Sequence, residues 1–222
     1  KNEDLISLIP QNTDIILRIN DINSIKNKFQ NDELLKNLYF PKEVKLKVKN
    51  LINDSLNNQI IAFSNFGKEE KAITVIHKRT KDSSYLKYEK IIYSGKPIFK
   101  FKVGDTEFYK TFIQNNTIVG DSRIIIENCI RNHQQQKKGI NDDNFSEIIG
   151  TADQDSGINL FLKGDPKLVG NSIFKNLPLF PKIWESWSNL DLDIESNIIE
   201  IDGAFKIRDS LGEVSGLFKN SE

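Results

Sequence analysis

The stretch "LIPQNTDIILRINDINSI", residues 8 to 25, decides how the rest of the chain reads. Ile15, Leu17 and Ile19 alternate with Arg18 and Asn20, and Ile16 widens the apolar run, so this is a strand buried on at least one face. Pro10-Gln11-Asn12-Thr13 is the turn that launches it. Asp21 or Asn23 can then cap a helix that carries Ile22, Ile25 and Phe29. A strand that runs directly into a helix signal is the unit from which mixed α/β architectures are made.

Moving outward, Asp32 opens a second short helix with Leu34, Leu35 and Leu38. Pro41 stands where a first-turn proline starts a third. Val44, Val48, Leu51, Ile52 and Leu56 form one helical stripe. Leu46 interrupts it, and "VKLKVK" alone would also pass for a strand; the stripe favours a helix, with Lys45, Lys47 and Lys49 on a solvated face. From Gln59 the period drops to two. "QIIAFSNFG" with "AITVIHKR" reads as one hairpin. "KPIFKFKVGDTEFYKTFI" reads as another, turning at Gly104-Asp105. "NNTIVGDS" adds a strand after an Asn115-Asn116 turn, and Asp121 or Ser122 caps a helix through Ile124, Ile125, Cys129 and Ile130. "HQQQKKGINDDN" is polar, ends in turn residues, and reads as a linker.

The opening then recurs. "GINLFLKGDPKLVG" repeats the strand, polar turn and helix of "DIILRINDINSIKN". "NLPLFPKIWESW", residues 176 to 187, echoes "NLYFPKEVKL", and "NLDLDIESNIIEIDGAFKIRD" echoes the first hairpin. Ile15 and Ile158 are 143 residues apart, Asn37 and Asn176 are 139 apart, and a four-residue deletion reconciles the two. The repeat predicts an α+β protein of two related halves, residues 1–140 and 141–222. The second half is the shorter and shares the sheet of the first. The sheet is expected to be mostly antiparallel, with helices packed on one face.

With 222 residues and 25.5 kDa the chain can bury a sizeable core. Its 31 basic and 31 acidic residues cancel, which argues against nucleic acid as the main partner. Cys129 is the single cysteine, so no internal disulfide forms.

Few residues suggest chemistry. Cys129 and His133 lie one helical turn apart, and a thiol beside an imidazole can be a nucleophile or half a metal site; Ile126 and Ile130 on the same face favour plain core. His77 sits in a strand with no cysteine near it. "DQDSG", residues 153 to 157, begins like a calcium loop, but the glycine position is Ile158 and the bidentate acid position is Gly164, so it reads as a turn. Asp191, Asp193 and Glu195 share one strand face. They are the weak candidates for a metal, and the favoured reading makes them the charged solvent face of an edge strand. Trp184 and Trp187, at i and i+3, are either core or an exposed surface for a sugar or a partner protein. No phosphate-cradling glycine loop and no nucleophile elbow occurs. No cofactor is expected.

"P-x-N-T-D-x-x-L-x-I" from Pro10 to Ile19, and "TFIQNNTIVGDSRIIIENCIRN" from Thr111 to Asn132, resemble the hallmarks of a family. Its members are duplicated αβ envelope lipoproteins of unknown function in bacteria related to flavobacteria. The resemblance covers most of residues 8 to 135 and, more faintly, 157 to 209. It implies a lipid anchor on a cysteine just before Lys1, a place in the periplasm or on the cell surface as an outer-membrane lipoprotein, and further chain after Glu222. It implies a protein or glycan partner in the envelope, with membrane association only through the anchor. The expected function is a non-enzymatic binding or scaffold module; the alternative is a metal-dependent hydrolase that uses Asp191, Asp193 and Glu195.

Overall fold

A computed structural model describes residues 5–23, 42–67, 70–80, 87–137, 139–164, 186–194 and 199–205. Ten strands form one sheet. They are β1 (Thr13–Ile19), β2 (Gln59–Phe66), β3 (Glu70–Lys78), β4 (Glu89–Tyr93), β5 (Lys96–Val103), β6 (Thr106–Ile113), β7 (Asn116–Gly120), β8 (Ile158–Lys163), β9 (Trp187–Ile194) and β10 (Ile199–Phe205). Their spatial order is β10-β9-β8-β1-β2-β3-β7-β6-β5-β4, antiparallel at every joint. Among the described residues a 3-10 turn (Leu5–Leu8) and three short α-helices accompany the sheet: α1 (Lys42–Leu51), α2 (Arg123–Gln134) and α3 (Asp143–Ile149).

This corrects the expected fold class. The molecule is one large antiparallel sheet with a few short helices, and those helices lie on both of its faces. The physical reason is that the central strands are apolar on both sides. Ile16, Ile60, Ala62, Ile76 and Ile118 point one way, into a cluster with Ile126 and Ile130 of α2 and Phe145 and Ile148 of α3. Ile15, Ile61, Phe63, Ile73 and Val75 point the other way, into a cluster with Leu51 at the end of α1. A strand buried on both faces needs cover on both; a single helical layer would leave half of it wet.

The arm from β4 to β7 is a meander of tight turns. Ser94 (φ 46°) and Gly95 (φ 73°) join β4 to β5, and both lie in the left-handed region that a two-residue hairpin turn demands. The periodicity had passed over β4, because Glu89 and Lys90 precede a run of only two isoleucines. The stretch read as a linker also differs. Within it Asp142 caps α3, its Oδ1 accepting from the backbone N–H groups of Asn144 at 3.0 Å and Phe145 at 3.3 Å, and Ile140 is buried. The polar letters are capping residues, and the apolar face of the helix begins only at Phe145.

The two segments meet at β1 and β8. Leu17 stands directly opposite Leu160, and Ile15 and Ile158 lie symmetrically about that pair. The spacing that links Ile15 to Ile158 in the sequence is the one that links Leu17 to Leu160. A local two-fold axis therefore passes between these leucines. β2 then flanks β1 as β9 flanks β8, and β3 follows β2 as β10 follows β9. The helices expected at residues 22–29 and 32–38 and the echo at residues 176–185 fall largely outside the described residues.

Candidate functional site: a cleft between α1 and the sheet

Past the end of α1 the described residues leave part of the sheet face uncovered. A cleft of about 310 Å³ opens there. Its floor belongs to β3, β7, β6 and β5, and its far wall to the C-terminal end of α1 and the turn after it, Asn50 to Asp54. The α1 wall is tied down through Asp121, which follows β7. Asp121 Oδ2 accepts from Lys47 Nζ at 2.8 Å and Oδ1 accepts from the Ile73 backbone N–H at 2.8 Å, so one carboxylate joins α1 to β3. Gly120 makes the close approach possible: a Cβ there would lie 2.6 Å from the Ile73 carbonyl oxygen. Lys47, expected on a solvated face, has this structural partner.

Strand register assembles the floor. His77 on β3 pairs with Thr117 on β7. Thr117 pairs in turn with Phe112 on β6. Arg79 stands just past the end of β3, with its guanidinium carbon over the Phe112 ring, 4.2 Å from the ring centre. Lys110 Nζ lies 4.6 Å from the Tyr88 ring centre and also donates to the Tyr88 hydroxyl at 3.0 Å. Tyr88 meets Phe101 edge-on at 5.6 Å. The result is an aromatic basin with cations at its rim.

At its centre are two polar side chains that are almost fully buried: His77 is 6% exposed and Thr117 is 5% exposed. His77 Nδ1 lies 2.7 Å from the Lys78 carbonyl oxygen. A carbonyl can only accept, so Nδ1 carries the proton and Nε2 carries a lone pair. Burial lowers the imidazole pKa from 6.5, more than the Lys78 carbonyl raises it, and the nearby Lys110 charge lowers it further. His77 is therefore a neutral acceptor. Among the described residues neither its Nε2 nor Thr117 Oγ1 has a hydrogen-bond partner.

The residues singled out from the sequence sit elsewhere. Asp191 and Asp193 are on β9, which pairs with β8 on one side and β10 on the other; the edge-strand reading is corrected, because β10 takes the edge. Asp191 accepts from Asn159 Nδ2 at 2.7 Å, from Asn189 Nδ2 at 3.0 Å and from the Asp153 backbone N–H at 3.1 Å. Asp193 accepts from Ser156 Oγ and the Gly157 N–H, both at 2.9 Å. These two acids thus fasten the "DQDSG" turn, which a calcium ion would do in a true loop of that type. Glu195 lies outside the described residues. Among those described, no group of three or more His, Cys, Asp or Glu side chains is placed to hold a metal ion.

Trp187 is not on a helix: it opens β9, is 1% exposed, packs on Phe145 with ring centres 4.6 Å apart, and donates Nε1–H to Asp142 at 3.1 Å. That closes Trp187 as an interaction surface; Trp184 lies outside the described residues. Cys129 is buried among isoleucines of α2, and burial pushes its thiol up to about 12, so it is no nucleophile at neutral pH. A smaller cavity of about 240 Å³ lies between α2 and the N-terminal turn, and His133 and Lys137 line it.

No known protein family matches the chain, and neither does any curated protein or any solved structure. The cleft residues had little signal in the sequence. His77 was visible as one of only two histidines. Thr117 and Phe112 look ordinary until β3, β7 and β6 are laid side by side.

Proposed function

We propose that this chain is a non-enzymatic binding module and that the cleft between α1 and the sheet is its binding site. One observation carries the reading. His77 Nε2 and Thr117 Oγ1 are adjacent, nearly buried and unpartnered among the described residues, on the floor of an aromatic-walled cleft. Neither atom belongs to the fully buried, unpartnered side-chain atoms of the described residues, so both are open to the cleft. A ligand that takes up both while covering Tyr88, Phe101 and Phe112 finds a few polar groups among aromatic rings, the usual make-up of a small-molecule pocket.

Binding is favoured over catalysis because no hydrogen bond joins His77 to Thr117, so the hydroxyl has no base that activates it. The alternative, a metal-dependent hydrolase built on Asp191, Asp193 and Glu195, has less support. Both oxygens of Asp191 and of Asp193 are taken up by donors of the fold. The envelope-lipoprotein setting rests on the sequence resemblance; no helix among the described residues is long and apolar enough to cross a membrane.

A fragment screen by heteronuclear NMR tests the site. Hits should move the His77 ring and the Thr117 and Phe112 signals together, and Thr117→Val should weaken them. Hits that gather at the cavity under α2, or none that reach His77, would overturn the assignment.

A further inference from the structure

The sheet ends on β4, and among the described residues no strand pairs with its outer edge. Turn geometry fixes which groups that edge presents. The two-residue turn Ser94–Gly95 closes on the pair Tyr93–Lys96, which in such a hairpin is hydrogen-bonded. Bonded and non-bonded pairs then alternate. Glu89, Ile91 and Tyr93 therefore turn their backbone groups to β5, and Lys90 and Ile92 turn theirs outward. The next hairpin agrees. Counted from Val103–Thr106 across the turn at Gly104, Phe101 and Phe99 face β6, which leaves Lys100, Ile98 and Lys96 for β4. Edge strands normally guard themselves with charge. Here one of the two outward positions is Ile92, at 60% the most exposed of the large hydrophobic side chains described.

We propose that β4 pairs antiparallel with β4 of a second copy of this chain, about a two-fold axis at Ile91, so that two sheets become one. A second copy is the occupant because the edge complements itself. Outward groups must meet outward groups, so competing registers differ by whole two-residue steps. With Ile91 on the axis, Lys90 of each copy is hydrogen-bonded to Ile92 of the other. That pair occurs twice, all four outward residues are used, and each lysine stem lies along an exposed isoleucine. Sliding one way sets Lys90 directly against Lys90, like charges opposed. Sliding the other way sets Ile92 against Ile92 and moves Lys90 onto Ser94, which lies in the turn at φ 46° after the strand has ended. Five residues a side bury less than the roughly 1,200 Å² of total surface at which stable interfaces start, so the dimer forms with rising concentration. It does not depend on a ligand in the cleft.

Sedimentation equilibrium of the full chain from micromolar to millimolar concentration tests it, and a monomer–dimer equilibrium is expected. Ile92→Pro removes an outward N–H that β5 does not use and should weaken the dimer at least about tenfold. Ile92→Lys sets a lysine against Lys90 at two places and should abolish it, while the exposed position leaves the unfolding transition of the monomer unchanged. Adding Lys90→Glu to Ile92→Lys sets opposite charges at both places and should restore the dimer. In the register with residue 92 on the axis it would not, because two lysines would still meet there. A chain that stays monomeric at millimolar concentration overturns the proposal. So does growth past two copies, which an open-ended β4–β10 contact between copies would give. A dimer that survives Ile92→Lys overturns the interface, and a double variant that fails to recover overturns the register.

Discussion

The two wings of the sheet that flank the β1–β8 joint share a backbone plan and differ in what they bury. Through the register, Ile16, Ile60 and Ala62 of β1 and β2 correspond to Asn159, Asn189 and Asp191 of β8 and β9. In the first wing these three side chains belong to the apolar cluster under α2. In the second wing they form a buried polar knot in which Asp191 accepts from both asparagines and from the Asp153 N–H. Position in a sheet thus fixes that a side chain is buried, but not that it is apolar. A buried carboxylate is tolerated when donors surround it, and here those donors include the turn it holds in place. The first wing, dry at this level, instead continues through β3 into the arm whose outer part leaves the cleft open.

The largest way to break the comparison is Asp191→Ala. It strands two buried amides and a backbone N–H, and should cost roughly 3–5 kcal/mol in chemical denaturation. Converting the whole knot to its first-wing counterparts, with Asn159→Ile, Asn189→Ile and Asp191→Ala together, should recover part of that loss, because the two amide donors leave with their acceptor, while the Asp153 N–H and the Asn20 amide lose a partner. A triple variant weaker than Asp191→Ala alone would show that the wings are not interchangeable at this level.

Next is the dry side of the first wing. Cys129→Ser places a hydroxyl among isoleucines and should cost about 1–3 kcal/mol. With its thiol pushed up to about 12, native Cys129 should resist thiol reagents and react on denaturation. Rapid labelling of the folded protein would contradict the burial. On the second wing, Asp142→Ala removes the α3 cap and the acceptor for Trp187 Nε1–H, for a loss of about 1–2 kcal/mol and a blue-to-red change in Trp187 emission as its environment loosens.

The smallest effect is a pH dependence from His77. Its folded pKa is below the ordinary 6.5, so the unfolded chain takes up a proton first as pH falls. Its contribution to stability is complete above 6.5, declines below it, and stops declining once the folded imidazole titrates as well. Comparing unfolding at pH 7.5 and pH 5 for wild type and His77→Gln should show a shallower fall in the variant; equal slopes would mean that His77 does not carry it.

The periodicity of two read from Gln59 onward fits β2, β3, β5 and β6, and the turn at Gly104 lies where the glycine signal put it. α1 appears under the stripe of Val44, Val48 and Leu51. What failed did so for identifiable reasons. α3 hid behind its own capping residues, β4 behind its charged start, and Trp187 behind a spacing that suits a helix, although Trp187 itself opens a strand. Nothing local distinguishes an edge strand from an interior one, so the alternating acids of β9 resembled a solvent face although Asp191 is buried.

What the sequence by itself determined about this protein is where the chain alternates and where it turns, because side-chain direction and turn conformation are set within a few residues. What only the tertiary structure decided is which strand lies beside which. Strand partners are chosen by burial summed over distant segments, and a register slip of one residue would send every side chain to the other face. The cleft is the clearest case. His77 comes from β3, Phe112 from β6 and Thr117 from β7, and only the pairing of β7 with both β3 and β6 brings an imidazole, a hydroxyl and a ring onto one floor.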